Sequence, residues 1–197
     1  DEAIRWKKVG NNKKADAAQA LADSAITQYG KYITIAEELG SDFSIILRLQ
    51  FENAILDDLP KAEELLSQLK LEELDTPIID DCEVRFLLAK AIIEKDDLQV
   101  DPINSAIERA QKRALESTVD QPFSALGWRN LGLVYDFKDN NEEALLAFEE
   151  AYRLAPNNSG YARRYLGALL NTESDPQRIM RVVRDAKKVF PNSPHLI

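Results

Sequence analysis

The sequence predicts an all-α protein built from antiparallel helical hairpins, and three observations support this fold class. Apolar residues recur at spacings of three and four through most of the 197 residues, whereas the alternation typical of strands is almost absent. The chain has only 7 glycines and 8 prolines, and this low content favours long regular elements. Five of the prolines stand near the starts of apolar stripes, and this recurring pattern leads us to expect helices in pairs.

The first 40 residues predict a helical segment whose pairing with the rest of the chain stays open. Apolar residues in the range 14–29 follow helical spacing, and Gly30 is a candidate break. A second stripe ends near Gly40, which is a plausible helix stop. Ser41 or Asp42 is a candidate N-cap for the next helix, because a side-chain oxygen can accept hydrogen bonds from the amides of a first turn.

The later helices are predicted from the positions of proline. Proline suits the first turn of a helix because its fixed φ fits there and its missing N–H costs no hydrogen bond. The helices expected after these prolines carry small or branched apolar residues on one face, such as Leu66, Val84 and Ala110. The prolines expected to open or precede helices are Pro60, Pro77, Pro102, Pro122 and Pro176.

The most specific pattern lies between Ala125 and Pro156. Its signature positions, in order, are Trp128, Leu131, Gly132, Tyr135, Ala144, Phe148, Ala151 and Pro156. In residue type and spacing this stretch resembles the tetratricopeptide repeat, a pair of helices of about 34 residues. Gly132 and Ala144 are expected to let the two helices approach closely while the large rings fill the space around them. The Asp139-Asn140-Asn141 run is expected to form the turn.

One hairpin cannot bury both of its faces, so the resemblance requires neighbouring copies. A copy shifted by 35 residues contains Leu166, Gly167, Ile179, Val183, Ala186 and Pro191, with Arg163 where the repeat has tryptophan. Weaker copies are expected upstream. We therefore expect a single domain over residues 1–197, with an N-terminal helical segment at 1–40 and about four hairpins between 42 and 190. The resemblance implies a right-handed α-solenoid, a superhelix whose concave face is formed mainly by first helices.

The charge is unevenly distributed along the chain. The net charge is −9, and residues 41–120 carry 19 acidic and 9 basic side chains. Residues 160–197 carry seven basic side chains against Glu173, Asp175 and Asp185. Such polarity can steer a charged partner, whereas an acidic chain is a poor ligand for nucleic acid. No apolar run approaches the ~18 residues that cross a bilayer, so membrane insertion is not expected.

The resemblance also indicates where a partner would bind. Family members use the concave face to hold peptides or helices of other proteins, and some grip the C-terminal carboxylate of chaperones with lysine and asparagine side chains. Such a clamp is only partly matched here, so a mixed groove for an extended segment or an amphipathic helix is favoured. The candidate residues lie opposite the packing stripe of three first helices: Lys90; Arg129, Asn130, Leu133, Asp136 and Phe137; Tyr161, Arg164 and Asn171.

Catalytic and metal chemistry find little support in the composition. The single Cys82 and the single His195 exclude an internal disulfide and a Cys-rich zinc site. Cys82 is expected to be a small buried apolar residue. The acidic pairs at 57–58, 80–81 and 96–97 are expected to cap helices or to be solvated. We therefore expect no cofactor, no metal and no enzymatic activity.

The leading functional hypothesis is a protein-interaction scaffold. It predicts that Arg129→Ala or Arg164→Ala weakens partner capture without unfolding the chain. Two alternatives stay open. The chain could be the regulatory or docking part of a larger enzyme or of a secretion or assembly complex, or it could be an RNA-binding helical repeat, which the acidic centre disfavours. A cytoplasmic location is favoured, and a periplasmic one stays open if a signal or anchor segment was removed.

Overall fold

The structure is a computed structural model that describes residues 12–38, 43–71, 76–94, 100–172 and 175–191. Within these ranges all regular structure is helical, which confirms the all-α class, and consecutive helices pack as antiparallel pairs. The chain divides into two compact units, one with Asp1–Asp75 and Ala89–Ile103 and the other with Thr76–Leu88 and Asn104–Ile197. The described helices are α1 (Asn12–Glu38), α2 (Phe43–Asp57), α3 (Leu59–Leu71), α4 (Thr76–Glu94), α5 (Val100–Asp120), α6 (Ala125–Phe137), α7 (Asn141–Leu154), α8 (Ser159–Asn171) and α9 (Pro176–Val189).

In the first unit, α2 packs against both α1 and α3. Phe51 of α2 is fully buried, and the predicted inner face of α3 is buried with it. The boundary between α2 and α3 is set at Asp58, whose carboxylate accepts a hydrogen bond from the Lys61 amide at 3.0 Å. This carboxylate therefore caps α3, as expected for the pair at 57–58.

α1 corrects the expected break at Gly30, because the helix continues without interruption to Glu38. A glycine inside a helix costs only about 1 kcal/mol relative to alanine, which the surrounding helical residues can offset. Nothing lies within 4 Å of the place where a Cβ at residue 30 would stand. The candidate stop at Gly40 and the candidate caps at Ser41 and Asp42 lie outside the described residues.

In the second unit, the alanine face predicted for α5 is buried. Ala106, Ala110 and Ala114 are almost inaccessible to solvent, as are Cys82 and Val84 of α4. Small side chains let helices pack at short distances. At Gly127 of α6 an added Cβ would lie 3.0 Å from the Ser117 hydroxyl oxygen of α5, so the two helices are close together there.

The hairpin of α6 and α7 is the repeat that the sequence predicts most specifically. Leu131, Ala144, Phe148 and Ala151 are all buried in it. Gly132 is required there by the Phe148 ring, because a Cβ on residue 132 would lie 2.6 Å from two ring carbons. The turn lies at Lys138–Asp139, slightly earlier than the predicted Asp139-Asn140-Asn141 run, because Asn141 is already the first residue of α7. Asp139 adopts the left-handed conformation with φ 58°.

Helix starts in this unit depend on polar caps. Pro122 does not open α6 as predicted, since it lies in a turn and the helix begins at Ala125. Ser124 is the N-cap of α6, and its hydroxyl accepts from the Gly127 amide at 3.4 Å. Pro122 has another role, because its carbonyl accepts the indole N–H of Trp128 at 2.8 Å. Proline does occupy the first position of α9.

The last hairpin, α8 and α9, departs from its predicted likeness to α6 and α7. The sequence predicts a close approach at Gly167, but this residue is exposed and no atom lies within 4 Å of the place where its Cβ would stand. The residue equivalent to Phe148 is Val183, which has no ring. Ala162, Leu166, Leu169 and the single buried residue of α9, Ala186, still form a continuous core with α7.

Candidate functional site

The predicted site residues of α8 lie on one stripe along the helix, which also includes Ala168. Tyr161, Arg164, Ala168 and Asn171 are separated by three, four and three residues, so they lie on one side of the helix. Arg164 and Asn171 are exposed, whereas Tyr161 is half-buried and Ala168 is buried. The start of this helix is fixed by Asn158, whose side chain accepts from the amides of Gly160 and Tyr161 at 2.9 and 3.3 Å. The first residue of the stripe, Tyr161, therefore lies in a helical turn that is capped by Asn158.

The equivalent stripe of α6 is less accessible. Leu133, Asp136 and Phe137 are all half-buried. Leu133 packs against the core cluster that contains Tyr165, Leu166 and Leu169 of α8. Leu133 therefore lies at the junction of the two helices, where it supports the packing and keeps part of its surface accessible.

Arg129 and Asn130 are engaged inside the unit. The Arg129 guanidinium forms an ion pair with Asp81 of α4 and also donates to Asn130 Oδ1 at 2.9 Å. Asn130 is fully buried, so it contacts no partner unless α6 moves. Removing the Arg129 side chain would leave the Asp81 carboxylate buried without this partner, and such a loss destabilises a fold strongly. The structure thus argues against the expectation that Arg129→Ala leaves folding intact.

The acidic pair Asp80 and Asp81 corrects another expectation, because neither residue caps a helix or is solvated. Both lie inside α4 and are 3% and 1% exposed. Arg113 of α5 lies 2.6 Å from Asp80 and 3.6 Å from Glu83. Burial raises the pKa of Asp80, although the attraction of Arg113 acts in the opposite direction. The two neighbouring carboxylates therefore hold α4 to both α5 and α6.

Lys90 is the predicted site residue of α4, and it belongs to the first unit. It is half-buried and takes part in polar interactions of its own. The α6 and α8 stripes both lie in the second unit, which does not contain Lys90. The candidate site is therefore restricted to these two helices, in which the accessible residues are Arg164 and Asn171 together with parts of Leu133, Asp136 and Phe137.

Asn171 also lines an open depression with the turn that joins α6 to α7. The acidic residues of this depression are Asp139, Glu142 and Glu143, and Thr172 lies next to Asn171. The other exposed member of the stripe, Arg164, stands two helical turns earlier, about 10 Å along the axis. The site therefore has a basic residue towards the start of α8 and a group of carboxylates at its end.

A polar cluster that the sequence did not reveal joins the last three helices. Tyr165 donates its hydroxyl hydrogen to Glu149 Oε1 at 2.7 Å, and Arg178 donates to the same oxygen at 2.6 Å. The Tyr165 ring stacks on Tyr152, with 5.7 Å between the ring centroids. Burial raises the pKa of Glu149, but the hydrogen bonds from Tyr165 and Arg178 outweigh it, so this pKa lies below its ordinary value. The cluster fixes α9 on α7 and α8.

Metal and membrane sites find no support in the described ranges. Among the residues that the structure describes, no three His, Cys, Asp or Glu side chains are grouped so that they could hold a metal ion. In those ranges no helix is long and apolar enough to span a bilayer. Cys82 is buried, as expected.

Comparisons with known proteins add a structural likeness. No protein-family model matches the chain, and no curated protein matches it. The chain is similar to a solved structure titled "TPR2AB-domain:pHSP90-complex of yeast Sti1", with 16% identity over 94% of this chain and 78% of that one and a TM-score of 0.40. The sequence signature between Trp128 and Pro156 and the packing of Gly132 on Phe148 are the features that carry the family resemblance. The described residues form helices that pack as sequential hairpins, and the stretch from Trp128 to Pro156 resembles the tetratricopeptide repeat.

Proposed function

We propose that this protein is a non-catalytic interaction scaffold that holds a peptide or helix of a partner protein on the outward stripes of α6 and α8. The observation that carries the proposal is the division of α8 into two sides. Tyr165, Leu166 and Leu169 are buried in the core, whereas Arg164 and Asn171 are exposed on a single stripe. Exposed polar residues on a rigid, well-packed helix can contact a partner with little loss of conformational entropy.

The charges along this surface suggest what kind of segment fits. Arg164 can pair with a carboxylate of the partner, and the acidic depression beside Asn171 suits a lysine or arginine. A segment with an acidic and a basic residue about 10 Å apart would match both. Leu133 and Phe137 offer partly exposed apolar surface beside these polar groups. This arrangement supports a mixed groove.

A clamp for a terminal carboxylate has less support. Asn130 is buried, and the Arg129 guanidinium is paired with Asp81. The carboxylates of Glu142 and Glu143 beside Asn171 would repel a second carboxylate placed there. The same repulsion disfavours RNA, which binds through its phosphates.

The proposal is tested by partner capture with the full chain. The double variant Arg164→Ala, Asn171→Ala is compared with the wild type in pull-downs from the native source, quantified by mass spectrometry. Arg109→Ala, Lys112→Ala is the matched control, because both of these residues are exposed on α5. We expect the stripe variant to lose about tenfold in capture of its partners, which corresponds to about 1.4 kcal/mol, while its thermal unfolding is unchanged. Equal capture by both variants would contradict the proposal.

A further inference from the structure

The outward face of α9 carries a second polar surface that the α6 and α8 stripes do not include. Gln177, Arg181, Arg184 and Lys188 follow one another at spacings of four, three and four, so they form a row along one side of the helix. All four are exposed. We call these four residues the α9 row. From Gln177 to Lys188 the row extends over eleven residue steps, or about 16 Å along the helix axis.

The charge of this face is almost entirely positive. Lys187 is exposed next to the row, and the single acidic residue of α9 is Asp185. Asp185 Oδ1 lies 2.9 Å from Lys188 Nζ. The hydrogen bond from Lys188 lowers the pKa of Asp185, and Arg184 and Arg181 act in the same direction. One carboxylate thus faces four cations on this side of α9.

The shape of the face gives a second observation. A shallow depression is lined by Pro176, Gln177, Met180, Arg181 and Arg184. The Met180 side chain is 58% exposed, although the inner side of α9 packs on α8. A flexible thioether next to two arginines can receive an apolar side chain whose neighbours are acidic.

We propose that the α9 row and Met180 bind an acidic segment of a partner protein, with carboxylates on Arg181 and Arg184 and an apolar residue on Met180. Arginine suits this role because its planar guanidinium donates two parallel hydrogen bonds to a carboxylate. The surface belongs to the second helix of its hairpin, so this binding does not depend on the proposed use of α6 and α8.

An acidic protein segment fits this surface better than other anions. A nucleic acid presents many phosphates, and a chain with a net charge of −9 repels a polyanion outside a patch one helix wide. A membrane surface requires more inserted apolar area than Met180 provides. A short segment with three or four carboxylates matches the length and charge of the row.

The test uses the full chain and a synthetic helical peptide that carries glutamates at the spacing of the row and one leucine. Its affinity is measured by fluorescence anisotropy at about 50 and about 300 mM NaCl, because exposed ion pairs weaken as the Debye length shortens. The protein variants are Arg181→Glu, Arg184→Glu and the control Arg109→Glu, Lys112→Glu, which changes the net charge equally. Circular dichroism establishes that both variants are folded. A glutamine version of the peptide controls for its apolar contact.

The proposal predicts that charge reversal on α9 weakens peptide binding at least about tenfold, that the control variant binds like the wild type, and that salt reduces the affinity. Three results would overturn it. The first is that the α9 variant and the control variant bind the glutamate peptide equally well. The second is that the wild type binds the glutamine peptide as tightly as the glutamate peptide. The third is that single-stranded oligonucleotide or anionic vesicles bind more tightly than the peptide and that this binding depends on the α9 row. Loss of partner capture by the Arg164→Ala, Asn171→Ala variant would leave the peptide binding of α9 unaffected. The two proposals can therefore be contradicted independently.

Discussion

Asp81 and Arg129 form an ion pair that joins the first half of α4 to α6, although 48 residues separate them in the chain. The Asp81 side chain is 2% exposed and the Arg129 side chain is 20% exposed. This pair changes the interpretation of Arg129, which the sequence suggests as a partner-binding residue. Its guanidinium compensates a buried carboxylate, and Arg164, the equivalent residue 35 positions later, is the exposed one.

Arg129→Ala should therefore destabilise the fold, whereas Arg164→Ala should not. We expect a loss of about 3 kcal/mol in the free energy of unfolding for Arg129→Ala, because Asp81 stays buried without its main partner. Arg164→Ala should cost under about 1 kcal/mol, as is usual at exposed sites. Urea unfolding measures both values. Equal stability of the two variants would show that the ion pair contributes nothing.

Two glycines at equivalent repeat positions should respond oppositely to alanine. At Gly132 the new methyl group would lie 2.6 Å from the Phe148 ring, which is buried and cannot swing away. Overpacking of this kind costs about 1–3 kcal/mol. At Gly167 there is open space, so alanine should stabilise the helix by about 0.5–1 kcal/mol. Melting temperatures of the two variants, compared with the wild type, check the signs, and a shared sign would contradict the packing described.

The Glu149 cluster should make stability depend on pH. Because the pKa of Glu149 is lowered in the fold, its ionised form stabilises the protein at pH values above the ordinary glutamate pKa of 4.5. This contribution is lost as pH falls through the lowered pKa. Glu149→Gln should thus be less stable than the wild type at pH 7, and the difference should shrink towards acid pH. Urea unfolding across this range measures it, and a constant difference would exclude the linkage.

Much of the fold follows from sequence patterns that act locally. The spacing of Trp128, Leu131 and Phe148 predicts the α6 and α7 hairpin, because a helix brings residues three and four apart onto one side. Caps are less predictable, as Ser124 and Pro122 show, since a proline near a helix start also suits the preceding turn. Gly30 fails as a break because its cost is smaller than the gain from continuing α1.

The candidate site is less predictable because it depends on contacts between distant parts of the chain. Arg129 and Arg164 have equivalent places in the repeat, yet Arg129 is half-buried and paired with Asp81 of α4, whereas Arg164 is exposed. Adjacent acids inside an apolar helical stretch, such as Asp80 and Asp81, are the pattern that points to buried partners. Gly167 differs from Gly132 in having open space where a Cβ would stand, and the residue equivalent to Phe148 is Val183 there.

The central claim, that a partner binds along the outward stripe of α8, is tested most directly by photo-crosslinking. A benzoylphenylalanine is placed at position 171, and the control carries it at position 112, which is also exposed and lies on α5. The account predicts that irradiation in extracts of the native source yields a discrete crosslinked protein from position 171 and none from position 112. Crosslinks of equal yield from both positions, or from position 112 alone, would contradict it.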